Sequence, residues 1–276
     1  KKAADELKKL MDEANTLRKT KPEERFVRAL WEPATQTPPK TFLFVRGDHE
    51  QPQQELAPHR LPILSVGEQP ILPFDDAALP TSGRRLAYAK WLTSPRHPLV
   101  ARVIVNRIWL HHFGQGLVET PGDFGKLGVP PTHPELLDWL AAEFIAGGWD
   151  VKQMHRLILT STAYRQASRN RRDAMTVDAQ NQLYWRMPVR RLEAEVLRDS
   201  LLAVSGLLST KIGGPPIYPP QPNGIWRHVG RNGPKFVVAK NQNRFRRGVY
   251  VVWRRGAPYV SFVNFDAPDR ATCVAK

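Results

Sequence analysis

The stretch at 98–125, "PLVARVIVNRIWLHHFGQGLVETPGDFG", constrains the fold more than any other part of the chain. A helix is expected from about Pro98, a residue suited to a first turn, to Phe113, with Gly114 as its stop. At about 100° per residue, apolar positions 99, 100, 103, 104, 105, 108, 109, 110 and 113 fall on nearly every side, so the helix is expected to be buried. Into it the chain inserts Arg102, Asn106, Arg107, His111 and His112. Arg102 and Asn106 share one narrow stripe; Arg107 and His111 share another. A buried guanidinium needs carboxylate or carbonyl partners, because an unpaired buried charge is strongly destabilising. The expected partners are Asp123, Asp138, Glu193, Glu195, Asp266 and Asp269. Two readings follow: a structural polar network built on Arg102, Asn106, Arg191, Glu195, Asp266 and Asp269, or a ligand-binding group with Arg107, His111 and Asp123 near the site.

The surrounding sequence supports a mainly α domain, α+β overall. In "THPELLDWLAAEFIAGG", Thr132 and Glu135 have the spacing of a capping box, with Leu136, Leu137, Leu140 and Phe144 as the inner face. "WDVKQMHRLILTSTAYRQ" repeats the device, with Asp150 as cap, Gln153 at the box position, and Trp149 and Met154 spaced as a hydrophobic staple. Two such helices joined by Gly147-Gly148 predict an αα-hairpin. A further helix is expected in "RRLEAEVLRDSLLAVSGLLS", with Leu197, Leu201, Val204 and Leu208 as one stripe, Arg191–Glu195 an i, i+4 pair and Glu195–Arg198 an i, i+3 pair. No internal repeat is present.

Four parts are expected. Residues 1–48 hold an amphipathic helix striped by Leu7, Leu10, Met11, Ala14 and Leu17, then Pro22, Pro33, Pro38 and Pro39, then a short strand at 41–45. The strand ends in Arg46-Gly47-Asp48, a triplet that resembles a cell-adhesion tripeptide but reads more plainly as a glycine turn. Residues 49–83 are Pro-rich and without period, a surface connector. Residues 84–210 form the helical core, opening with a short helix through Leu86, Ala89 and Leu92. Residues 211–276 are basic, Pro-rich and β-containing, with "RRGVYVVWRR" and "YVSFVNFD" as strand-like runs. The lack of an initiating Met and the end after "DRATCVAK" are read as a fragment of a longer protein, truncated at the C-terminus.

Charge adds a constraint on partners. The net charge is +15, and beyond position 200 there are 12 Lys and Arg against only Asp266 and Asp269. That imbalance points either to a solvated basic face or to an anionic partner. Nucleic acid is the weaker candidate. In "RFRRGVYVVWRR", strand alternation would put Val249, Val251 and Trp253 on one face and Tyr250 and Val252 on the other, as in a buried strand with charged ends. No apolar run reaches the roughly 18 residues that span a bilayer. A single cysteine, Cys273, rules out an internal disulfide, a Cys-rich zinc site and a haem-attaching CxxCH within these residues. His111, His112, His133 and His155 lack ligand spacing such as HExxH, and adjacent helical histidines point about 100° apart, so no metal is expected. There is no GxSxG elbow, P-loop or dinucleotide pattern.

The block "RRLAYAKWLTSPRHPLVARVIVNRIWLHHFGQGLVETPGDFGKLGVPPTHPELLDWLAAEFIAGGWDVKQMHRLILTSTAYRQ" resembles a domain of unknown function found in large secreted proteins of planctomycetes and related bacteria. "WRMPVRRLEAEVLRDSLLAVSG" and "FDAPDR" match the same family, so the resemblance covers about residues 84 to 276. The preceding "PPKTFLFVRGDHEQP" looks like the end of its companion domain. The resemblance implies export to the periplasm or cell surface and a cytochrome-c-type domain elsewhere in the same protein as partner. Any haem would belong to that separate domain, with no cofactor within this chain. It brings no catalytic residues with it. The function expected is a non-enzymatic scaffold or binding module that takes an anionic glycan; the alternative is a polysaccharide-directed hydrolytic or redox enzyme domain.

Overall fold

A computed structural model describes residues 2–20, 40–65, 79, 81–225, 236–254 and 256–267. The chain divides into two compact units, Lys1–Lys90 and Trp91–Lys276. Mainly helical architecture is observed, with one small antiparallel sheet among the described residues. No helix among them is long and apolar enough to cross a membrane.

In the first unit, α1 (Lys2–Thr20) carries the expected stripe, but Leu7, Leu10, Met11 and Leu17 are exposed. The strand β1 (Thr41–Phe44) pairs with β2 (Pro52–Leu56), Thr41 opposite Leu56 and Phe42 opposite Glu55. β2 lies inside the stretch at 49–83 expected to be a connector. Its burial gives no alternation to read, since all five residues are exposed. The hairpin turn holds Arg46 at φ 51° and Gly47 at φ 81°. The Asp48 carboxylate accepts hydrogen bonds from the Glu50 N–H and the Gln51 amide, at 3.0 and 2.8 Å. The Arg46-Gly47-Asp48 triplet is therefore a hairpin turn.

The second unit is organised on α3 (Val100–Phe113), which follows α2 (Arg84–Leu92). α3 ends at Gly114, in the left-handed region at φ 82°, whose N–H donates to the Leu110 carbonyl at 2.7 Å. Both α4 (Pro134–Ala146) and α5 (Val151–Thr160) pack on α3. The core joins Val105, Ile108, Trp109 and Phe113 to Leu117 and Val118, to Leu137, Leu140 and Phe144, and to Met154 and Ile158. Trp109 stacks on Phe113 at 4.2 Å and donates its indole N–H to the Tyr184 hydroxyl at 2.8 Å.

Both helices of the expected αα-hairpin and their glycine turn are present, but each packs on α3 rather than along the other, and one of the two caps differs from expectation. Asp150 caps α5, accepting from Lys152 N and Gln153 N at 2.8 and 3.1 Å. At α4, Pro134 takes the first helical position and makes His133 the N-cap residue, with no side-chain cap. That shift moves Thr132 out of register for a capping box, and its hydroxyl bonds the Leu117 carbonyl instead at 3.3 Å. Between the helices, Gly148 N–H reaches Ile145 O and Trp149 N–H reaches Phe144 O, the paired bonds of a Schellman end. The Trp149 and Phe144 rings meet edge to face, 5.2 Å apart.

The C-terminal part departs from the sequence reading. After the short α6 (Arg172–Val177), α7 (Ala194–Val204) begins too late to include Arg191. The Arg191–Glu195 helical pair therefore does not form. The stripe of Leu197, Leu201, Val204 and Leu208 is not a core face either: Val204 is 91% exposed, and α7 packs through Ala194. The strand-like runs form no ladder. "GVY" is a 3₁₀ turn, the chain crosses Ile217 by a single bridge at Val251, and α8 (Val260–Asn264) occupies the other run. Side chains meet the backbone's hydrogen-bond demand here. Asp199 accepts from Gly248 N at 2.6 Å and from Arg247 Nε at 2.7 Å. Gly248 lies so close to Glu195 that a Cβ would sit 2.7 Å from its Cα, which excludes any larger residue.

A buried cation anchors this segment. Arg246, 1% exposed, donates to the carbonyls of Pro215, Lys211 and Gly213. Its guanidinium lies 3.6 Å from the Tyr250 ring centroid. Arg198 donates to Arg244 O at 2.8 Å and to Arg246 O at 3.3 Å, and its burial lowers its pKa. A small apolar cluster of Ala194, Ile217, Val251 and Phe262 completes the packing.

Candidate functional site: a polar cleft at the end of α3

The polar residues of α3 separate into roles according to the side they face. Asn106 is fully buried and clamps Val118, donating to its carbonyl at 3.1 Å and accepting from its N–H at 2.9 Å. Gly116 is required at this crossing, because a Cβ there would lie within 2.9 Å of both Asn106 side-chain polar atoms. Arg102 finds a carboxylate, Asp138 on α4, with Nε to Oδ1 at 2.6 Å, and also donates to Pro98 O. The Arg102 hydrogen bond holds the Asp138 carboxyl below its ordinary value, and raises the pKa of Arg102 in return. Arg107 is exposed and makes no hydrogen bond or ion pair among the described residues. α3 packs its other sides and leaves this one to solvent.

His111 faces a cleft of about 390 Å³ beyond the helix end. One wall is the Gly114–Glu119 turn held by the Asn106 clamp; the other is the segment at 190–193 that leads into α7. Asp266 joins it because Ala194 N–H donates to Asp266 O at 2.9 Å. Charged side chains in the cleft pair with one another. Arg191 Nε lies 3.2 Å from Asp266 Oδ2, and His111 Nδ1 lies 3.6 Å from Glu193 Oε1. Glu119 accepts from Gln115. Arg190 also lines the cleft, its stem against Gly114, and its guanidinium has no carboxylate partner among the described residues.

Of the sequence-derived candidates, the structure places His111, Arg191, Glu193 and Asp266 in this cleft. Arg107 and Asp123 do not line it. Asp123 serves the following turn, where its Oδ1 accepts from Gly125 N at 2.8 Å. Glu195 lies on α7 with one carboxylate oxygen buried and unbonded among the described residues. Asp269 and Cys273 lie outside the described residues. Sequence reasoning missed Arg190, which stands beside Arg191 in irregular chain and carries no periodic signal. Among the described residues no group of three or more His, Cys, Asp or Glu is placed to hold a metal ion.

Fold and cleft together define a helical domain with a mixed-charge surface cleft. A family model matches residues 84–276, that of PSD1, described as a protein of unknown function (DUF1553), and the chain belongs to this family. No curated protein and no solved structure matches it.

Proposed function

We propose that the chain is a non-enzymatic scaffold and binding module of an exported multidomain protein, at the periplasm or cell surface, and that its cleft holds an acidic glycan. It would work beside a cytochrome-c-type domain of the same protein, which would carry any haem. The export and the cytochrome partner rest on the resemblance to planctomycete secreted proteins. The observation that carries the ligand reading is Arg190, the cleft cation with no carboxylate among the described residues, set among groups already paired with each other. Sugar hydroxyls both donate and accept, which suits a lining that mixes Glu119, Glu193 and Asp266 with Arg191 and His111. A uronate or sulfate on the sugar would meet Arg190, whose planar fork matches an oxyanion. The net charge of +15 favours approach of a polyanion.

Calorimetry at physiological salt against polygalacturonate and against neutral dextran tests this. Binding is expected to the acidic polymer, and Arg190→Ala should weaken it about tenfold, the effect of ~1.4 kcal/mol, with an unchanged melting temperature. Equal affinity for dextran, or no effect of the substitution, overturns the reading. Release of reducing ends from the polymer would establish the hydrolytic alternative, with Glu193 and Asp266 as the carboxylates to examine.

A further inference from the structure

His112 and His155 face each other across the junction of α3 and α5. His112 Nε2 and His155 Nδ1 are 2.7 Å apart, and the rings stand 72° to one another at 5.0 Å. Both side chains are half-buried, and neither contacts a carboxylate among the described residues. A hydrogen bond between two imidazoles needs one N–H and one lone pair. Two neutral rings satisfy this by choice of tautomer. A first proton leaves one lone pair to accept the bond; a second removes it and sets two cations against each other.

Burial and positive neighbours oppose protonation of His112. His111 is the neighbour on α3, Arg190 approaches from the segment before α7, and the Tyr164 ring after α5 stands perpendicular to the His112 ring at 5.5 Å. Among the described residues, the Glu193 carboxylate contacts His111 rather than His112. We propose that His112 and His155 form a proton-sensitive pin, which ties α5 to α3 while at least one ring is neutral and releases that tie when acidification protonates both.

Burial first, then the positive charges of His155, Arg190 and His111, hold His112 below the ordinary imidazole value. The unfolded chain takes up a proton at that ordinary value while the folded chain resists. The pin's contribution to stability is therefore complete above about pH 6.5 and is lost as pH falls through the lower, folded value. His97, also held down by burial, adds its own acid sensitivity, so the difference between wild type and variants is the informative quantity.

Thermal melts of wild type, His112→Gln and His155→Gln from pH 7.5 to 5.0, with imidazole titration by NMR on the wild type, test the pin. One proton taken up on unfolding costs up to about tenfold in the folding constant per pH unit, and both variants should show a shallower dependence than wild type. If a variant does not fold, the NMR titration decides: the His112 midpoint should lie below about 6.5, and the His155 resonances should shift as His112 takes up its proton. Variants with the wild-type slope, or two rings that titrate independently at the ordinary value, overturn the proposal. None of these readouts involves a ligand, so they stand apart from the glycan reading.

Discussion

The α3–α5 region and the segment from Ile217 to Phe262 hold together by different means. In the first, three regular helices satisfy their own backbone and bury apolar side chains against one another, with Asn106 as the polar exception. In the second, the apolar cluster is small, and a buried guanidinium does what a strand ladder would otherwise do. Arg246 gathers three carbonyls that have no ladder partner, while Asp199 takes up the Gly248 N–H. An irregular chain can be buried only if side chains supply the bonds that regular structure supplies for nothing.

The largest expected effect would break this contrast outright. Arg246→Met leaves the carbonyls of Pro215, Lys211 and Gly213 without their donor and should cost about 3–5 kcal/mol. Hydrogen exchange should then rise across 211–225 and 236–254 while α3 to α5 stay protected; uniform loss of protection would mean the two regions are one cooperative unit. Asn106→Leu probes the polar exception in the helical region. It strands both Val118 backbone groups and should lower stability by about 2–4 kcal/mol in denaturant unfolding. A loss below ~1 kcal/mol would show that the clamp is dispensable there. Gly148→Ala sharpens the contrast least. No atom lies within 4 Å of its added Cβ, so only the backbone at φ 68° objects, and a loss of about 1 kcal/mol in the melting free energy is expected.

The same contrast explains what the sequence revealed. Helical period and the Asp150 cap are local signals, and α3, α4 and α5 emerge where they point. An Arg102 buried on α3 is expected to find a carboxylate; Asp138 supplies it, although the pair is only partly withdrawn from solvent. For Arg107 the period is silent, because a helix that is apolar nearly all round does not declare which side its neighbours cover. Val103, Ile104 and Leu110 prove only half-buried, and Arg107 lies exposed. In the C-terminal segment, alternating Val and aromatic residues look like strand, yet long-range partners decide: Gly248 against Glu195, and Arg246 among carbonyls. The cleft was legible through His111, Arg191, Glu193 and Asp266 but not through Arg190, which gains its place from the turn at Gly114 rather than from any pattern.

The clamp of Asn106 on Val118 has a consequence for recognition. It ties the loop forming one wall of the cleft to the rigid interior, and the left-handed Gly114 fixes that loop's other end. If the proposed glycan enters beside Arg190, it meets a wall already in place and forfeits little entropy in ordering the protein. On that proposal selectivity is that of a preformed mould, with sugars differing by one substituent separated chiefly by how fast they leave.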